Sequence, residues 1–506
     1  MLLSLAEEEE EDLMQNLIIQ AEKNRNRIAI RQGDRQWTYD DLLTKSCNVA
    51  SAFLGHRANL QEMRVAFMVN PGFDYVCVQW AIWRSGGVAV PLCLEYPAAS
   101  LQYVIDDTQV EIIVCNTSHH AIINQLKLND TVRVLLVEDI VNNTHTTQLP
   151  GIDIHRRAMI LYTSGTTSLP KGVVSTHANL EAQITTLVSA WDWSSSDHIL
   201  CVLPLHHVHG IVNVVCCSLW SGACCEFLPG SFSPDSVYSI FLKGDVNVFM
   251  AVPTIYFKLI AHWEKEGKDE QRKISLQLKR FRLMVSGSAA LPVSVMEKWK
   301  LISDHWLLER YGMTEIGMAI SNPYMGVRKP GHIGFPLPGV EVRLCDDHDH
   351  EVQGEPGEIQ VKGPNVFSEY WNKKDATEKA FTADGWFRTG DVAEVTDGYY
   401  KILGRNSVDI IKSGGYKISA LEIEEVLRIH PQINDCGVVG ISNEEWGEVV
   451  AAAIISETSL NNEDLVKWLS ERIPRYKTPR LFLQITELPR NAMGKVVKSE
   501  LKKMFV

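Results

Sequence analysis

A short loop rich in glycine and hydroxyl side chains has the composition of a phosphate-binding site. Residues 163–172 read Thr-Ser-Gly-Thr-Thr-Ser-Leu-Pro-Lys-Gly, and they follow an apolar run at 159–162 that is typical of a buried strand. Glycine lets the backbone approach an anion closely, the hydroxyl groups donate hydrogen bonds, and lysine adds a positive charge. The candidate phosphate-binding residues are Thr163, Ser164, Gly165, Thr166, Thr167 and Lys171. The alternative is an ordinary surface turn, where the same residue types are common.

This loop does not have the spacing of the Walker phosphate loop. The Walker pattern places Ser or Thr directly after its lysine, where the hydroxyl binds magnesium. Gly172 follows Lys171 here, so the pattern excludes a P-loop nucleoside triphosphatase.

The composition is that of a globular protein with more than one domain. A chain of 506 residues exceeds the size of a single core, and typical domain sizes predict roughly two to four units. Its 45% hydrophobic and 22% charged residues exclude a disordered or fibrous chain, and no apolar run reaches the ~18 residues that span a bilayer. The net charge of -13 disfavours nucleic acid and anionic membranes as partners, whereas small anions such as ATP and coenzyme A can be bound by local cations. Nothing in the sequence indicates an obligate protein partner.

The N-terminal residues and the cysteines bear on the compartment. The acidic stretch 7–12 opposes both a secretory signal and an arginine-rich transit peptide. The eleven cysteines lack Cys-x-x-Cys spacing, which favours a reducing environment. We expect a cytoplasmic protein, or a mitochondrial matrix protein if a leader is missing from this chain.

Hydrophobic periodicity predicts an α/β fold in two units. Between residues 36 and 115, and again from 199 to 286, apolar strand-like runs alternate with amphipathic helical stretches, which is typical of doubly wound sheets. In residues 334–400 the pattern changes to short runs of alternating apolar and polar residues, separated by Gly and Pro. This pattern predicts a small β-barrel subdomain. We predict a large N-terminal domain over residues 1–404 and a small α+β domain over 405–506.

Three further segments accompany the phosphate loop. They are residues 286–292 with 309–315 (Ser-Gly-Ser-Ala-Ala-Leu-Pro and Glu-Arg-Tyr-Gly-Met-Thr-Glu), 385–391 with Gly404-Arg405 (Gly-Trp-Phe-Arg-Thr-Gly-Asp), and 489–495 (Pro-Arg-Asn-Ala-Met-Gly-Lys). In order and spacing these four motifs resemble the adenylate-forming superfamily of acyl-CoA synthetases, peptide-synthetase adenylation domains and luciferases. The resemblance covers nearly the whole chain.

The resemblance implies a two-step reaction at one site. A carboxylate attacks the α-phosphorus of ATP to give acyl-AMP and pyrophosphate, and a thiol then displaces AMP. Such chemistry needs placed cations and a metal rather than a protein nucleophile. The implied cofactors are ATP and Mg²⁺, with coenzyme A as cosubstrate.

The resemblance also assigns roles to individual residues. The loop from Thr163 to Lys171 would contact the β- and γ-phosphates, Thr314 the α-phosphate, and Glu315 would bind Mg²⁺. Lys495 would bridge the attacking carboxylate and the α-phosphate in the first step. Together the implied catalytic residues are Lys495, Thr314, Glu315 and Lys171, and the other implied nucleotide contacts are Ser288, Ala289, Ala290, Glu309, Tyr311, Gly312, Asp391 and Arg405. Tyr311 would stack on adenine, and Asp391 would accept the two ribose hydroxyls.

The resemblance implies that the N-terminal domain, residues 1–404, holds the ATP and acyl sites. It also implies that the C-terminal domain, residues 405–506, is mobile and rotates between two poses. Residues 404–409 are therefore the expected hinge, where Ser407 departs from the usual Asp or Lys. Gly414, Gly415 and Tyr416 would contact the pantetheine of coenzyme A. In the phosphate loop, Ser168 replaces the usual glycine.

Substrate choice is predicted to depend on Arg310. By resemblance the acyl pocket is lined by Arg310, His207, His209, Ser288 and Met313. Relatives that take bulky acids carry glycine at the position of Arg310, and a buried guanidinium is costly unless a carboxylate meets it. A second carboxylate on a short substrate would do so, and the surrounding residues look like the malonyl-CoA synthetase branch, of the acyl-CoA synthetase family member 3 type. The expected function is an ATP-dependent malonate–CoA ligase with some methylmalonate tolerance.

Several alternatives remain at this stage. Arg310 could form a structural salt bridge with Glu309 or another acid. Arg282 and Arg328 are weaker candidates for the contact with the substrate carboxylate, and each is expected to face solvent. His206, His207 and His209, on an expected strand end, are interpreted as pocket lining rather than a metal site. The rival functions are a CoA ligase for another short or medium acid, an adenylation module, a luciferase-type oxygenase, and a catalytically inactive nucleotide-binding homologue.

Overall fold

Sixteen α-helices occur in the described part of the chain. The computed structural model describes residues 16–142, 144, 146–163, 170–406, 408–413, 416–490 and 496–505. The α-helices are Asn16–Lys23, Tyr39–Leu54, Phe73–Arg84, Ala98–Thr108, His120–Ile123, Val137–Ile140, His177–Ala190, Cys217–Trp220, Pro234–Lys243, Pro253–Trp263, Lys268–Leu278, Val293–Ser303, Lys374–Ala380, Ala420–Arg428, Asn462–Ser470 and Lys498–Lys503. A π-helical segment spans His209–Cys216, and short 3₁₀ turns lie at Thr117–His119 and Arg475–Lys477.

A seven-stranded mixed sheet carries the phosphate-loop strands. In spatial order its strands are Glu369–Tyr370, Lys171–Thr176, Arg157–Thr163, Val88–Pro91, Arg64–Met68, Ile112–Cys115 and Arg133–Leu136. The last five pair in parallel, whereas the first two add antiparallel strands at one edge. This edge brings two strands that are nearly 200 residues apart in sequence into register.

A nine-stranded sheet carries the predicted acyl and adenine motifs. Its strands, in spatial order, are Phe335–Pro336, Gly317–Ser321, Leu308–Met313, Leu283–Ser286, Val248–Ala251, His198–Cys201, Cys224–Phe227, Ile28–Gln32 and Arg35–Thr38. The six central strands run parallel, so their carboxyl ends lie at the same edge of the sheet. The loops that follow these strands therefore begin at that edge.

One apolar core joins the two large sheets. It contains Leu161 from the seven-stranded sheet, Val285 from the nine-stranded sheet and Ile184 from the helix His177–Ala190. That helix begins with a capping box, in which Thr176 and Asn179 each accept a hydrogen bond from the other's backbone N–H. The predicted doubly wound α/β architecture is confirmed.

The chain ends in two smaller sheets. An antiparallel sheet of Glu341–Cys345, Gly357–Lys362, Phe387–Thr396 and Tyr399–Arg405 occupies the region predicted to be barrel-like, and its observed pairings form an open ladder of four strands rather than a closed barrel. The C-terminal sheet contains Tyr416–Ser419, Ile410–Ser413, Gly447–Ile455, Asp435–Asn443 and Leu481–Gln484. The helix Ala420–Arg428 packs on the C-terminal sheet. No described helix has the length and apolar character needed to cross a membrane.

Candidate active site

The two ends of the predicted phosphate loop face each other across a hairpin. Thr163 ends one strand and Lys171 begins the next, and the two residues are paired in antiparallel register. The hydroxyl of Thr163 lies 3.5 Å from the carbonyl oxygen of Lys171. Ser164, Gly165, Thr166, Thr167 and Ser168 lie outside the described residues. Their predicted phosphate contacts therefore stay predictions.

Glu315, the predicted magnesium ligand, is buried and held by a neighbouring segment. Its Oε1 accepts a hydrogen bond of 2.9 Å from the hydroxyl of Tyr370, and its carbonyl oxygen accepts one of 2.7 Å from the backbone N–H of Phe367. Burial raises the pKa of Glu315 above its usual value, and the Tyr370 hydrogen bond opposes that rise. Thr314, beside it, is half-buried. Glu315 thus presents carboxylate oxygens of the kind that bind a metal ion, at a position shielded from water.

Tyr311, Asp391 and Arg405 form a connected group at the predicted adenosine end. The hydroxyl of Tyr311 donates to Asp391 Oδ2 at 2.7 Å, and Arg405 Nε donates to Asp391 Oδ1 at 3.0 Å. The hydroxyl of Thr389 accepts a hydrogen bond from the backbone N–H of Asp391 at 3.1 Å, which orients the backbone of that acid. The structure brings these three predicted residues together, although they are separated by up to 94 positions in the sequence.

Gly312 is required where two strands approach closely. A Cβ atom built at Gly312 would lie 2.0 Å from the carbonyl oxygen of Gly317 and 2.6 Å from Met318 Cε. No side chain fits there without moving the backbone. Glycine at 312 therefore keeps the strand of Tyr311 against its antiparallel neighbour.

Arg310, Ser288 and His209 form a short series of polar contacts. Arg310 Nη2 donates to Ser288 Oγ at 3.4 Å, and Ser288 Oγ lies 3.1 Å from His209 Nδ1. Because guanidinium can only donate, Ser288 Oγ is the acceptor in its contact with Arg310. Ser288 has a φ of 68°, in the left-handed region that non-glycine residues rarely adopt. Ala289 and Ala290 follow it in the same exposed loop.

Arg310 has no acidic partner among the described residues. Its Nε is buried without a hydrogen-bond partner there, and so is His209 Nε2. Burial lowers the pKa of Arg310 to about 9, which still leaves the guanidinium charged at neutral pH. Burial lowers the pKa of His209 well below its usual value, so His209 is neutral. A positive charge is therefore enclosed with nothing on the described chain to neutralise it.

The alternative salt bridge between Arg310 and Glu309 is not observed. Successive residues of a strand point to opposite faces, and Glu309 is buried on the other side of Leu308–Met313. The backbone N–H groups of Leu291 and Gly331 favour the ionised form of its carboxyl, but burial dominates and raises its pKa to about 8. Glu309 is therefore not the counterion of Arg310.

The histidines near the acyl pocket lie after a strand rather than on it. The strand His198–Cys201 ends before them, and His209 opens the π-helical segment. The rings of His206 and His207 pack with centroids 4.1 Å apart, and burial lowers the pKa of His206 to about 3. Within the residues that the structure describes, no group of three or more His, Cys, Asp or Glu side chains is arranged to hold a metal ion. Met313 is half-buried and packs against the core that contains Tyr311.

The expectation that Arg282 and Arg328 face solvent is wrong. Arg282 forms a bidentate pair with Asp197 at 2.5 and 2.6 Å, and the side chain of Asp197 is fully buried. Arg328 donates to the carbonyl oxygens of Trp306 and Tyr324 at 2.7 and 2.9 Å. Both arginines are thus occupied by structural contacts, so neither is available for the substrate contact considered for Arg310.

The C-terminal domain contributes predicted residues that are only partly described. Lys495, Gly414, Gly415 and Ser407 lie outside the described residues. Tyr416 is exposed and stacks on Tyr476, with ring centroids 4.5 Å apart. At the expected hinge, Asp409 accepts from the backbone N–H of Arg405 at 3.1 Å and pairs with Lys498 at 2.7 Å. The domain boundary and the coenzyme A contacts stay predictions.

Sequence reasoning missed Tyr370 and Thr389. Both contact a predicted site residue directly. Tyr370 lies outside the four motifs, and Thr389 lies in the motif at 385–391 but was given no role of its own. The tyrosine lies 55 residues from Glu315, so only the folded sheet edge shows the contact.

Comparison with known proteins places this geometry in a family. Residues 17–371 match the AMP-binding enzyme family, and residues 422–495 match the AMP-binding enzyme C-terminal domain. The chain belongs to the AMP-binding enzyme family, the adenylate-forming superfamily that its motifs resemble.

Two relatives and one solved structure are similar to this chain over most of its length. The mitochondrial malonate–CoA ligase ACSF3 of Xenopus laevis is 45% identical over 92% of this chain and 87% of its own length. The human protein of the same name is 42% identical over 95% and 90%. The crystal structure of ATP-bound MatB from Rhodopseudomonas palustris superposes with a TM-score of 0.88 at 31% identity, covering 97% of this chain and 99% of that one.

Proposed function

We propose that this chain is an ATP-dependent malonate–CoA ligase. It converts malonate, ATP and coenzyme A into malonyl-CoA, AMP and diphosphate through malonyl-AMP. Relatives named as malonate–CoA ligases, 39–45% identical over most of the chain, support this function. Methylmalonate is proposed as a second, poorer substrate.

The observation that carries the substrate assignment is the unneutralised guanidinium of Arg310. An unpaired buried charge costs several kcal/mol, and a carboxylate that accepts a bidentate pair offsets that cost. Malonate has one carboxylate for the reaction and a second one for Arg310. Acetate lacks the second carboxylate and would leave Arg310 unpaired, which disfavours it strongly. His209 Nε2, close to the same side chains, is also buried without a hydrogen-bond partner among the described residues.

The proposed nucleotide contacts involve other side chains of the site. Lys171 and the loop that begins at Thr163 bind the outer phosphates, Tyr311 supports adenine, and Asp391 accepts the ribose hydroxyls. ATP-bound structures of the similar protein MatB support the use of ATP. Binding both substrates in one pocket supplies much of the rate, because the attack becomes effectively unimolecular.

The residues present fit a magnesium ion. Glu315 is a buried carboxylate whose oxygens retain lone pairs beside the Tyr370 hydrogen bond, and hard cations prefer such oxygen donors. Glu315 would hold Mg²⁺, which neutralises phosphate charge when bound. A similar enzyme, MenE from Bacillus subtilis, has been solved with ATP and a magnesium ion at 25% identity.

The proposed reaction proceeds in two steps. A malonate oxygen attacks the α-phosphorus, an O–P bond forms and the bond to diphosphate breaks, while Lys495 offsets the charge that develops. The thiol of coenzyme A, after losing its proton, then attacks the acyl carbon, and AMP leaves with the electron pair of the broken C–O bond. Gly414, Gly415 and Tyr416 are proposed to guide the pantetheine arm.

Two further points belong to this proposal. The domain division at 404/405 separates the ATP and acyl site from the proposed mobile domain that carries Lys495. The relatives named as mitochondrial favour the matrix over the cytoplasm as the compartment.

The test is a comparison of substrates in wild type and Arg310→Ala. AMP release that depends on coenzyme A is measured with malonate, methylmalonate, acetate and butyrate. We expect wild type to prefer malonate, and Arg310→Ala to lose about 2–4 kcal/mol in kcat/KM for malonate with little change for acetate. Equal losses with acetate would exclude the pairing. A wild type that turns over a monocarboxylate best would favour the other short-acid ligase, and no turnover with any acid would favour an inactive homologue.

A further inference from the structure

Tyr370 lies between two residues of the proposed nucleotide site. It belongs to the short strand Glu369–Tyr370, which pairs with Lys171–Thr176 so that Tyr370 is opposite Val173. Its side chain is buried, with 7% of the residue exposed. From this position it reaches both the strand that begins at Lys171 and the turn that contains Glu315.

The ring and the hydroxyl of Tyr370 make different contacts. The ammonium of Lys171 lies 4.8 Å from the ring centroid, within the range of a cation–π contact. The hydroxyl donates to Glu315 Oε1 at 2.9 Å. The same segment also holds the backbone of Glu315, since Phe367 N–H donates to its carbonyl oxygen at 2.7 Å. One side chain therefore joins a cation and an anion that do not pair with each other.

The chemistry of these contacts suits a site that must bind a charged ligand. Lys171 forms no ion pair among the described residues, and an aromatic ring orients an ammonium without neutralising its charge. The phenol hydrogen occupies one oxygen of Glu315 and holds the carboxylate in a defined orientation, which is how outer contacts position a metal-binding side chain. Both partners thus stay available for the phosphates and for a hard cation.

We propose that Tyr370 is a positioning residue that sets Lys171 and Glu315 for the magnesium complex of ATP. Its ring places the charge of Lys171 toward the phosphates, and its hydroxyl orients Glu315 toward the cation. The inference rests on the proposed function, because it takes the nucleotide to be the magnesium complex of ATP.

The two contacts are separated by two substitutions. Tyr370→Phe keeps the ring beside Lys171 and removes the hydroxyl, whereas Tyr370→Leu removes both. Binding of ATP is measured by isothermal titration calorimetry without malonate, once with excess Mg²⁺ and once with EDTA. The control is Tyr238→Phe, because Tyr238 is also buried and its hydroxyl donates to the carbonyl oxygen of Leu259 at 2.9 Å, remote from the site.

The expected results differ between the variants. Tyr370→Phe should weaken binding of ATP with Mg²⁺ by about tenfold, as for one lost hydrogen bond to a charged group, and leave binding in EDTA within about twofold. Tyr370→Leu should weaken binding under both conditions, and Tyr238→Phe should change neither.

Three outcomes overturn the proposal. They are equal losses with and without Mg²⁺ in Tyr370→Phe, no loss in either condition, or the same loss in Tyr238→Phe. Because calorimetry is done without malonate, a failure of the malonate assignment appears only in the turnover assay and leaves the result for Tyr370 readable. Wild-type protein that does not bind ATP would overturn both.

Discussion

Gly287 lies directly against the guanidinium of Arg310. A Cβ atom at 287 would lie 2.5 Å from both Arg310 Cζ and Nη1 and 2.8 Å from Nε. These distances are shorter than any real contact, so the absence of a side chain at 287 makes room for the arginine. The position of the Arg310 guanidinium, the proposed substrate-binding group, thus depends on the absence of a side chain at Gly287.

The substitution Gly287→Ala should displace Arg310 without removing it. The new methyl group forces the guanidinium to shift by a few tenths of an ångström or more, and small misplacements in a reacting site reduce rates strongly. We expect kcat/KM for malonate to fall by roughly 10- to 100-fold, with the KM for ATP unchanged. Steady-state kinetics in the AMP-release assay measure both. Gly267→Ala is the matched control, because a Cβ atom there meets nothing within 4 Å. Wild-type kinetics in Gly287→Ala would contradict the proposed role of Arg310.

Asp391 is predicted to recognise the ribose of ATP. Replacing it by Asn removes the charge that Tyr311 and Arg405 contact at 2.7 and 3.0 Å, so hydrogen bonds to the ribose weaken. We expect the KM for ATP to rise by about tenfold or more, and the preference for ATP over 2′-deoxy-ATP to shrink. Asp384→Asn is the control, since Asp384 pairs with Arg343 elsewhere on the four-stranded sheet. A variant that still prefers ATP as strongly as wild type would rule out the ribose contact.

Glu309 should make the stability of the protein depend on pH. Burial raises its pKa from the usual 4.5 to about 8, so the folded state keeps a proton that the unfolded chain releases between these values. Its contribution therefore becomes less favourable as the pH rises from about 4.5 to about 8 and stays constant above. Relative to wild type, Glu309→Gln should gain at least about 2 °C in Tm between pH 5 and pH 8.5.

Thermal unfolding at several pH values tests this difference. Glu341→Gln serves as the control, because Glu341 is an exposed carboxyl. A Tm difference between Glu309→Gln and wild type that is the same at both pH values would show that Glu309 is ionised in both states.

Lys495 is predicted to act in the first half-reaction alone. Lys495→Ala should abolish ATP–pyrophosphate exchange with malonate, because the charge that develops between carboxylate and phosphate loses its partner. Supplied malonyl-AMP should still be converted to malonyl-CoA at close to the wild-type rate. Parallel loss of both half-reactions would mean that the lysine also serves the thiol step or the fold.

The class of protein and its chemistry could be read from the sequence because they depend on local patterns. Alternation of apolar runs predicted strands between residues 36 and 115 and from 199 to 286, where the observed strands include Arg64–Met68, Val248–Ala251 and Leu283–Ser286. Four motifs in order identified the family, and the glycine, hydroxyl and lysine side chains of the first motif indicated a phosphate site. The role of Glu315 as a magnesium ligand came from the resemblance. The strands of the small sheet after residue 340 were predicted from the same alternation. Whether such a sheet closes into a barrel depends on which strands pair, and the observed four-stranded ladder is open.

Which charges are paired could be decided only by the tertiary structure. Arg282 was expected in solvent but contacts Asp197, 85 residues away, and Tyr370 reaches Glu315 across 55 residues. The sequence by itself determined that an arginine precedes Tyr311 and that the chain belongs to an adenylate-forming family. The fold decided that this arginine is buried and points to the face of the strand opposite that of Glu309. It also decided that no acidic side chain among the described residues pairs with it. The reason is physical: periodicity describes one element at a time, whereas burial and charge pairing depend on elements that are distant in sequence.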